Sequence, residues 1–401
     1  MAAGGKKQKT KTEKERENEM KIFHLSDLHI GLKLIRRDLR EEQEYILGEV
    51  VRMAATEKPD AVIIAGDIYD KAIPSAEAVE VFDNFVSAMT DELPETTLMM
   101  ISGNHDSAAR LNVFRSILGR QRVHMIGMPP RLPEEYIAKV VLTDAYGEVN
   151  FYLLPFVKPS AVRQIVAAEE EDTLSYDETL RRLIGRENID AKARNVIVSH
   201  QFYLPTGEKA DEVERMDSEI RTVGNIDEVK ADILSRFDYA ALGHIHKPMK
   251  VAGECCRYSG TPICCSVSEA GQEKGIVVAE LGAKGEVATR VLPLVPRRRV
   301  RVISGKLGDV LAAPSDDYVK VVLTDEVDLD VIDMQDRLNS AFPNLLEIER
   351  KVNRATNYNA ITEPGKNLDP YSLCCDFLSD LDEEEKTLLQ DVINTVKGVE
   401  A

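Results

Sequence analysis

The sequence lacks the features that would mark a membrane or a secreted protein. No apolar run approaches the roughly 18–20 residues that span a bilayer, so no membrane span is predicted. The N-terminal segment MAAGGKKQKTKTEKEREN contains basic residues but no apolar stretch after them, so the pattern of a secretory signal is missing. We expect residues 1–20 to form a disordered charged tail that takes no part in the fold.

Positive charge is in short supply. The chain has 51 lysines and arginines against 69 aspartates and glutamates, which gives a formal net charge of −18 and a pI near 5.0. Such a chain is not a stand-alone electrostatic clamp for nucleic acid. A nucleic-acid substrate stays open if bound metals or a partner protein offset the repulsion. An ATP-binding motif is also missing, so any ATP dependence has to come from a partner.

The six cysteines lack the spacing of a zinc site. They form three pairs of neighbours, Cys255–Cys256, Cys264–Cys265 and Cys374–Cys375. Neighbouring residues rarely form a disulfide, because the bond geometry strains the peptide between them. The two-residue gap of the usual zinc ligand pairs is absent. We therefore expect buried reduced thiols in a cytoplasmic protein, with structural zinc as the less favoured alternative.

Short apolar runs that stop abruptly at polar residues recur along the first 250 residues. Runs of this length and ending are typical of buried strands. Strands that alternate with helices indicate an α/β fold, in which sites gather beyond the carboxyl ends of the strands. The five runs are KIFHLSDLH (21–29), AVIIAGD (61–67), LMMISGNH (98–105), NVIVSH (195–200) and YAALGHIH (239–246).

Two amphipathic helices are predicted between the first three runs. The first lies within 36–55, where Leu39, Ile46, Val50 and Met53 recur at helical spacing. The second lies within 73–89, with Ser75 as the candidate cap. Its apolar stripe should consist of four residues, Val79, Phe82, Val86 and Met89.

The composition changes near residue 292, where LPLVPRRRVRVISG carries two prolines and a basic run. We expect a catalytic domain over 21–296 and a linker over 353–370. Amphipathic helices in 371–401 should pack on their own domain or dock on a partner. Between them, 297–352 is predicted to be a small α+β unit of strands 298–303, 317–324 and 344–350 and helices 306–312 and 331–340.

Seven side chains at the strand ends have the character of ligands for a hard metal. Imidazole, carboxylate and amide oxygen suit Mn, Fe or Zn better than a soft thiolate metal. Each motif alone is weak, since Asp-x-His is common and Gly-Asp is often a turn. The ordered set of five motifs predicts a dinuclear metal site. The candidate ligands are Asp27, His29, Asp67, Asn104, His200, His244 and His246.

Glycine precedes three of these ligands, at Gly66, Gly103 and Gly243. We expect these glycines to let the backbone turn sharply and aim the next side chain at a common point. Two histidines, His24 and His124, fall outside the motifs and within apolar runs, so we expect core or surface positions for them.

In this order the motifs resemble those of the calcineurin-like metallophosphoesterases, and most closely those of the SbcD family of recombination and repair nucleases. The likeness runs from about residue 21 to the end and departs at Cys264–Cys265. It implies a four-layered α-β-β-α sandwich with a small α+β capping domain and C-terminal helices. Stretches outside the ligands that share it are GDIYDKAIPS (66–75), TVGNIDEV (222–229), FDYAALGHIHKP (237–248), YSGTP (258–262) and SEAGQEKG (268–275).

The resemblance implies roles for the site residues. His105 would protonate the leaving 3′ oxygen or hold the phosphate. Asp106 would orient His105 or cap the following helix. Two divalent cations are implied, with manganese as the expected metal and Asp67 as the bridge. One cation would be bound by Asp27, His29, Asp67 and His246, and the other by Asp67, Asn104, His200 and His244.

The implied activity is that of a DNA nuclease in repair, recombination and replication. It would be a 3′→5′ exonuclease on duplex ends and an endonuclease on single strands and hairpins. The implied partner is an SbcC-type coiled-coil ATPase in a two-plus-two assembly, and a homodimer of the nuclease subunit stays open. Basic residues near the metal motifs are candidate DNA-phosphate contacts, or else part of a solvated face. They are Lys33, Arg36, Arg37, Arg110 and Arg115.

Two other functions are weighed against the nuclease. A phosphoesterase for small phosphodiesters or phosphoproteins could use the same core, but the protein phosphatases continue G-D-x-x-D with Arg-Gly, whereas GDIYDKA does not. The extension after residue 296 also exceeds what a minimal phosphodiesterase needs. A non-catalytic DNA-end tether would be marked by loss of a ligand or of His105, and none is lost.

Overall fold

The computed structural model describes residues 19–167, 174–205, 207, 216–219, 228–325, 331–351, 370–378 and 381–396. The predicted tail up to residue 18 lies outside these described residues. So does the predicted linker 353–370, apart from Pro370, and most of the stretch TVGNIDEV.

Before residue 295, the described residues contain sixteen strands. They follow the predicted apolar runs, and the structure adds short hairpins that the sequence analysis did not predict. In chain order the strands are β1 (Met20–Leu25), β2 (Lys33–Leu34), β3 (Arg37–Asp38), β4 (Ala61–Ala65), β5 (Thr97–Ile101), β6 (Val123–Ile126), β7 (Ala138–Asp144), β8 (Gly147–Leu154), β9 (Arg194–His200), β10 (Phe202–Leu204), β11 (Glu228–Lys230), β12 (Tyr239–Gly243), β13 (Met249–Lys250), β14 (Cys256–Tyr258), β15 (Lys274–Leu281), β16 (Val287–Leu294), β17 (Val300–Gly305), β18 (Tyr318–Leu323) and β19 (Leu345–Arg350).

Helices connect the strands. Short 3-10 turns occur at Gly119–Gln121, Ala231–Arg236 and Val267–Glu269. The α-helices are α1 (Arg40–Glu57), α2 (Ala76–Glu92), α3 (Ala108–Leu111), α4 (Arg115–Leu118), α5 (Pro159–Val166), α6 (Tyr176–Gly185), α7 (Leu307–Leu311), α8 (Val331–Ala341), α9 (Pro370–Phe377) and α10 (Glu383–Val396).

Two mixed six-stranded sheets form the body of the protein. The first has the order β16-β15-β1-β4-β5-β6, and the second has the order β13-β14-β12-β9-β8-β7. Within each sheet the central strands are parallel, while β15–β16 and β7–β8 are antiparallel hairpins. The central strands β4 and β5 are buried along their whole length because both of their faces are covered.

The sheets pack face to face and carry helices on their outer faces. Ile63 and Met99 of the first sheet share one buried cluster with Phe151 and Val198 of the second. α1 and α2 contribute to the cluster on the outer face of the first sheet. α5 and α6 do the same for the second sheet. The four-layered α-β-β-α architecture implied by the resemblance is confirmed.

Helix α2 begins as predicted, with a different buried face. The hydroxyl of Ser75 accepts a hydrogen bond from the N–H of Ala78 at 3.3 Å, so it caps the helix. Phe82 and Met89 are buried as expected, but Val79 is 44% exposed. The stripe begins one residue earlier, at Ala78, because that face meets the core.

The strands and helices predicted after residue 296 are present, with bounds within two residues. β17, β18 and β19 form a parallel sheet, and α7 and α8 share an apolar cluster with it. Val300 and Tyr318 join the cluster of the first large sheet. Arg298 forms a salt bridge with the buried Glu42 on α1. The small α+β unit is therefore packed on the first sheet and its helix.

The described residues after 352, 370–378 and 381–396, belong to a separate unit of the chain. Its helix α10 begins with a capping box, in which the N–H of Glu385 donates to the carboxylate of Asp382 and the N–H of Asp382 donates back to Glu385. Phe377 on α9 is 87% exposed and Leu388 on α10 is 66% exposed. These two helices therefore present large apolar side chains to solvent.

The cysteine prediction is correct for the thiols and only partly correct for burial. All six cysteines are free. Cys256 and Cys265 are buried, whereas the other four are half-buried. In the pairs Cys255–Cys256 and Cys264–Cys265 one thiol is buried and the other is half-buried, whereas Cys374 and Cys375 on α9 are both half-buried. In the described residues, no helix combines the length and the apolar character needed to cross a membrane.

Candidate metal centre

The seven predicted ligands converge at one edge shared by the two sheets. Asp27 and His29 follow β1, Asp67 follows β4 and Asn104 follows β5, all in the first sheet. In the second sheet His200 is the last residue of β9, and His244 and His246 follow β12. The expectation that the polar residues lie beyond the carboxyl ends of strands is confirmed.

Four of these residues adopt left-handed backbone conformations. The φ angles are +53° at Asp27, +44° at His29, +49° at Asp67 and +107° at His244. The loops after β1 and β4 hold each other in place, since the N–H of Asp27 donates to Gly66 at 2.9 Å and that of His29 donates to Asp67 at 3.0 Å. Non-glycine residues persist in such conformations where the surroundings impose them, commonly at functional sites.

The three glycines serve two purposes, and only one was expected. Gly66 has a φ of +91°, so it makes the predicted sharp turn. Gly103 and Gly243 lie outside the left-handed region, and their role is to leave space. A Cβ at Gly103 would lie 2.1 Å from an oxygen of Asp67, and one at Gly243 would lie 2.0 Å from the carbonyl oxygen of Ala65.

Asp27, His29 and His246 form one group of ligand atoms, within 4.8 Å of one another. The Nε2 atoms of His29 and His246 face each other at 3.1 Å. Both oxygens of Asp27 accept the N–H of His244 at 3.1 Å, which fixes the carboxylate between the two sheets. All three side chains of the group are buried.

A second group surrounds the side-chain oxygen of Asn104. This oxygen lies 3.0 Å from Nε2 of His200 and 2.9 Å from Nδ1 of His244. Asp67 lies between the two groups, because its Oδ2 atom is 3.2 Å from Nε2 of His200 and 3.7 Å from Nε2 of His29. One carboxylate is therefore within reach of both groups.

The residues present fit a pair of divalent cations. Burial and the nearby His246 ring lower the pKa of His29 to about 3, so this imidazole is neutral at pH 7 and offers a lone pair. The buried Nδ1 atom of His29 has no hydrogen-bond partner within the described part of the chain. In the same part, neither Asp27 nor Asp67 forms a salt bridge with a lysine or an arginine.

The charge on Asp67 is stabilised by the neighbouring His200 ring. Burial alone would raise the pKa of this carboxyl, but the charge and the hydrogen bond of His200 hold it well below its usual value. Conversely, burial would lower the pKa of His200, and Asp67 raises it to about 9. The pair is a buried anion beside a ring that keeps its proton at pH 7. Metal binding at such a site releases that proton.

His105 lies beside the centre and is half-buried. Its N–H donates to Oδ1 of Asp67 at 2.8 Å, and its ring stands edge-on to His29 with centroids 4.7 Å apart. Its Nδ1 atom lies 3.0 Å from the carbonyl oxygen of Asp70. A carbonyl oxygen can only accept, so Nδ1 carries a proton and Nε2 is left for a substrate.

Asp106 has different partners from those expected. Its carboxylate accepts three backbone N–H groups, from Ile68 at 3.0 Å, Tyr69 at 2.9 Å and Gly103 at 2.9 Å. It therefore neither orients the His105 ring nor caps α3, because its oxygens are turned toward the loop after β4. Its role is to join that loop to the loop after β5.

The predicted phosphate-contact residues lie in two regions. Lys33 lines a cavity of about 460 Å³ together with Asp70 and Lys71, and the carbonyl of Asp70 contacts the His105 ring. Arg36 and Arg37 belong to the β2–β3 hairpin and line a second cavity. Arg37 donates to the carbonyl of Pro343 at 2.9 Å and so ties the hairpin to the small α+β unit. The remaining two lie on short helices, Arg110 on α3 and Arg115 on α4.

Sequence analysis gave no role to Asp70 or Glu269, although both border the centre. Asp70 is the second aspartate of GDIYD, and its carbonyl holds the His105 ring. Glu269 lies in the stretch SEAGQEKG, and its carboxylate contacts His246. The one available signal was that both residues lie in stretches that share the family likeness, GDIYDKAIPS and SEAGQEKG, which does not single out a residue.

The chain matches two known families. Residues 20–248 match the family described as calcineurin-like phosphoesterase, and this range contains all seven candidate ligands. Residues 296–380 match the SbcD C-terminal domain, which is described as the type 5 capsule protein repressor C-terminal domain. The first match spans more than half of the chain.

Two solved structures are similar to the chain. One is GAP50, the anchor in the inner membrane complex of Plasmodium, with 11% sequence identity, a TM-score of 0.40 and coverage of 82% of this chain and 96% of that one. The other is a dimetal phosphatase from Danio rerio, with 14% identity, a TM-score of 0.39 and coverage of 69% of this chain and 96% of that one.

Proposed function

We propose that this chain, which belongs to the calcineurin-like phosphoesterase family and is an SbcD-type nuclease, hydrolyses DNA phosphodiesters with two divalent cations. Manganese is the proposed metal. The proposed activities are 3′→5′ exonuclease on duplex ends and endonuclease on single strands and hairpins. They would serve DNA repair, recombination and replication.

The observation that carries this proposal is the place of Asp67 between two groups of ligand atoms. Its Oδ2 atom is within 3.7 Å of His29 on one side and 3.2 Å of His200 on the other. We assign one cation to Asp27, His29, Asp67 and His246, and the other to Asp67, Asn104, His200 and His244. When bound, such a pair supplies Lewis-acid stabilisation of the phosphate and an activated water near neutral pH.

The chain's own residues position the substrate and handle the proton. Asn104 adds an uncharged oxygen, so the centre gains a ligand without further negative charge near a phosphate. In its doubly protonated form, the His105 ring is the proposed donor, from Nε2, to the leaving 3′ oxygen or to a phosphate oxygen. The hydrogen bond from Nδ1 of His105 to the carbonyl of Asp70 fixes the ring for that task.

DNA contacts outside the centre are assigned to basic side chains on two regions. The β2–β3 hairpin provides Lys33, Arg36 and Arg37, and the helices after β5 provide Arg110 and Arg115. Phosphate contacts of this kind position the duplex without reading its sequence. Because the chain as a whole is acidic, we expect a partner to supply further binding surface.

The proposed partner is an SbcC-type coiled-coil ATPase in a two-plus-two assembly. Exposed apolar side chains on α9 and α10 suit docking of these helices on a partner. The α+β unit built on β17–β19 is the proposed capping domain that helps to hold DNA. Six free thiols favour a reducing compartment, so we propose the cytoplasm as the site of action.

The experiment that tests the proposal uses the purified chain, Mn²⁺ and a linear duplex labelled at its 5′ ends. His105→Asn and an EDTA reaction serve as controls, and a parallel reaction contains the ATPase partner and ATP. A shortening ladder that requires both metal and His105 supports the proposed activity. A ladder found only with the partner and ATP places gating in the ATPase.

A different result would overturn the proposal. Absence of DNA cleavage in both reactions, with turnover of a small phosphodiester, would make the chain a phosphoesterase for small substrates. Failure to cleave either substrate, with DNA ends still held together, would make it a tether.

A further inference from the structure

Glu269 is a buried carboxylate placed next to the metal centre. It ends the 3-10 turn Val267–Glu269, is 0% exposed and is surrounded by donors. The turn also packs against β17. Its partners are Ser218 at 2.9 Å, Ser266 at 3.2 Å and His246 at 3.4 Å on Oε1, and Lys274 at 2.7 Å and Thr261 at 3.0 Å on Oε2.

One ring nitrogen of His246 faces the metal centre, and the other faces away from it. Its Nε2 atom faces Nε2 of His29 at 3.1 Å, inside the metal centre. Its Nδ1 atom therefore points the other way, where it lies 2.7 Å from the hydroxyl oxygen of Ser218. A ring that offers the lone pair of Nε2 to a cation has to carry its proton on Nδ1.

Ser218 and Glu269 together make that tautomer the favoured one. The carboxylate of Glu269 can only accept, so the Ser218 hydroxyl donates to it at 2.9 Å. The hydroxyl hydrogen of Ser218 is then used in that bond, so the Ser218 oxygen accepts the hydrogen bond from Nδ1 of His246. The result is a chain of hydrogen bonds that runs from His246 Nδ1 to Ser218 and on to Glu269.

The negative charge of Glu269 is balanced by a buried lysine, so this carboxylate needs no bound metal cation. The ammonium of Lys274 lies 2.7 Å from Glu269, and both side chains are almost fully buried. The same ammonium donates to the carbonyl of His246 at 3.1 Å, and Glu219 accepts the N–H of His246 at 2.9 Å. Burial raises the pKa of the nearby Cys265 thiol well above its usual value, so it is no thiolate ligand.

The ligands assigned to the other cation are oriented in a different way. The ring of His200 donates from Nδ1 to the main-chain carbonyl of Ala65 at 2.7 Å. On its Nδ1 side this ring is therefore held by a main-chain carbonyl and not by a hydroxyl and a carboxylate. A change at Ser218 or Glu269 should therefore affect one cation position and leave the other intact.

We propose that Ser218 and Glu269 are positioning residues that fix the tautomer and the orientation of His246 for the cation bound with Asp27 and His29. This inference rests on the proposed metal centre. Partners of this kind behind a metal-binding histidine typically contribute about 10–100-fold to metal affinity.

Two matched serine variants of the full chain test the proposal. Ser218→Ala removes the hydroxyl between His246 and Glu269. Ser266→Ala removes another donor to the same oxygen of Glu269 without a contact to His246. Mn²⁺ is titrated by calorimetry into metal-free protein in the absence of DNA. For Ser218→Ala we expect one of two Mn²⁺ binding events to weaken by about 10-fold, with partial recovery in Ser218→Thr.

Each possible outcome of this titration either supports or overturns the inference. Wild-type affinities at both sites in Ser218→Ala would overturn the inference. Equal weakening in Ser218→Ala and Ser266→Ala would also overturn it, because the effect would then be a general loss of structure around Glu269. A chain that binds no Mn²⁺ would overturn both this inference and the proposed function. Selective weakening in a chain that cleaves no DNA would support the inference while the nuclease proposal fails.

Discussion

Oδ2 of Asp67 lies 3.2 Å from Nε2 of His200, although Asp67 follows a strand of the first sheet and His200 ends a strand of the second. The metal centre is therefore built across the boundary between the two sheets. Its geometry depends on how the sheets pack, and substitutions that disturb the contact should affect metal binding before they affect the strands.

Gly103→Ala is expected to disable the centre while the fold persists. The new Cβ would lie 2.1 Å from Oδ1 and 2.4 Å from the main-chain nitrogen of Asp67, so the carboxylate and the loop that carries it would have to move. We expect Mn²⁺ affinity to fall by more than about 10-fold, the lower end of the range for disturbing a metal-binding partner. The control is Gly48→Ala, since a Cβ at this position has no neighbouring atom within 4 Å. This substitution should stabilise α1 by about 0.5–1 kcal/mol. Unchanged affinity in Gly103→Ala would contradict the account.

Asp106→Ala should lower the free energy of unfolding. Three buried N–H groups lose their acceptor, and one unsatisfied buried donor costs about 1–3 kcal/mol. Urea denaturation of the metal-free protein measures the change. Ser107→Ala is the matched control, because Ser107 precedes α3 without a side-chain cap bond and should change stability by less than about 0.5 kcal/mol. Equal effects of the two variants would contradict the assigned role of Asp106.

His24 should make the protein sensitive to acid. Its ring is buried between the sheets, where Nδ1 lies 2.9 Å from the Tyr239 hydroxyl and Nε2 lies 3.1 Å from the carbonyl of Leu242. Burial lowers the pKa of His24 from 6.5 to about 3. The unfolded chain therefore binds the proton more tightly, and stability is complete above pH 6.5 and falls as the pH drops toward 3.

The measurement is the free energy of unfolding at pH 7 and pH 5 in EDTA, for wild type and His24→Gln. Wild type should lose about 2 kcal/mol more over this interval than the variant, from the linkage of the two pKa values. His124→Gln is the control, because this ring is half-buried and its pKa is lowered less. An identical pH dependence in wild type and His24→Gln would refute the assignment.

Phe377→Ser combined with Leu388→Ser should weaken binding to the ATPase partner. Both side chains are more than 60% exposed, so their loss should change stability by less than about 0.5 kcal/mol. A buried anchor at an interface contributes about 2 kcal/mol or more, so affinity should fall by more than about 10-fold. Leu132→Ser, at a 49% exposed leucine elsewhere, is the control. Undiminished partner capture by the double variant, measured by pull-down, would exclude this docking surface.

The strand-end positions of the ligands could be predicted because the signal is local. An apolar run that stops at Asp, Asn or His is visible in a few residues, and parallel strands bring such ends to one edge. The capping serine of α2 was visible for the same reason. The one-residue error in the buried stripe of α2 arose because Val79 and Ala78 are both apolar, and only packing decides between them.

Contacts between distant segments could not be predicted. Two of the three partners of Asp106, Ile68 and Tyr69, lie almost forty residues away, and those of Glu269 include Ser218, about fifty residues away. The role of Gly103 is of the same kind, because the space it leaves is filled by the carboxylate of Asp67. A single sequence contains no pattern that links such residues, so their roles follow only from the folded arrangement.

The central claim is that Asp67 is shared by two cations. The most direct test is the number of Mn²⁺ ions bound per chain, by wild type and Asp67→Asn, after equilibrium dialysis. We predict two ions for wild type. For the variant we predict weaker binding at both sites, by more than the roughly 100-fold that loss of an outer partner can cost. A wild type that binds a single ion, or a variant that loses only one of two, would contradict the account.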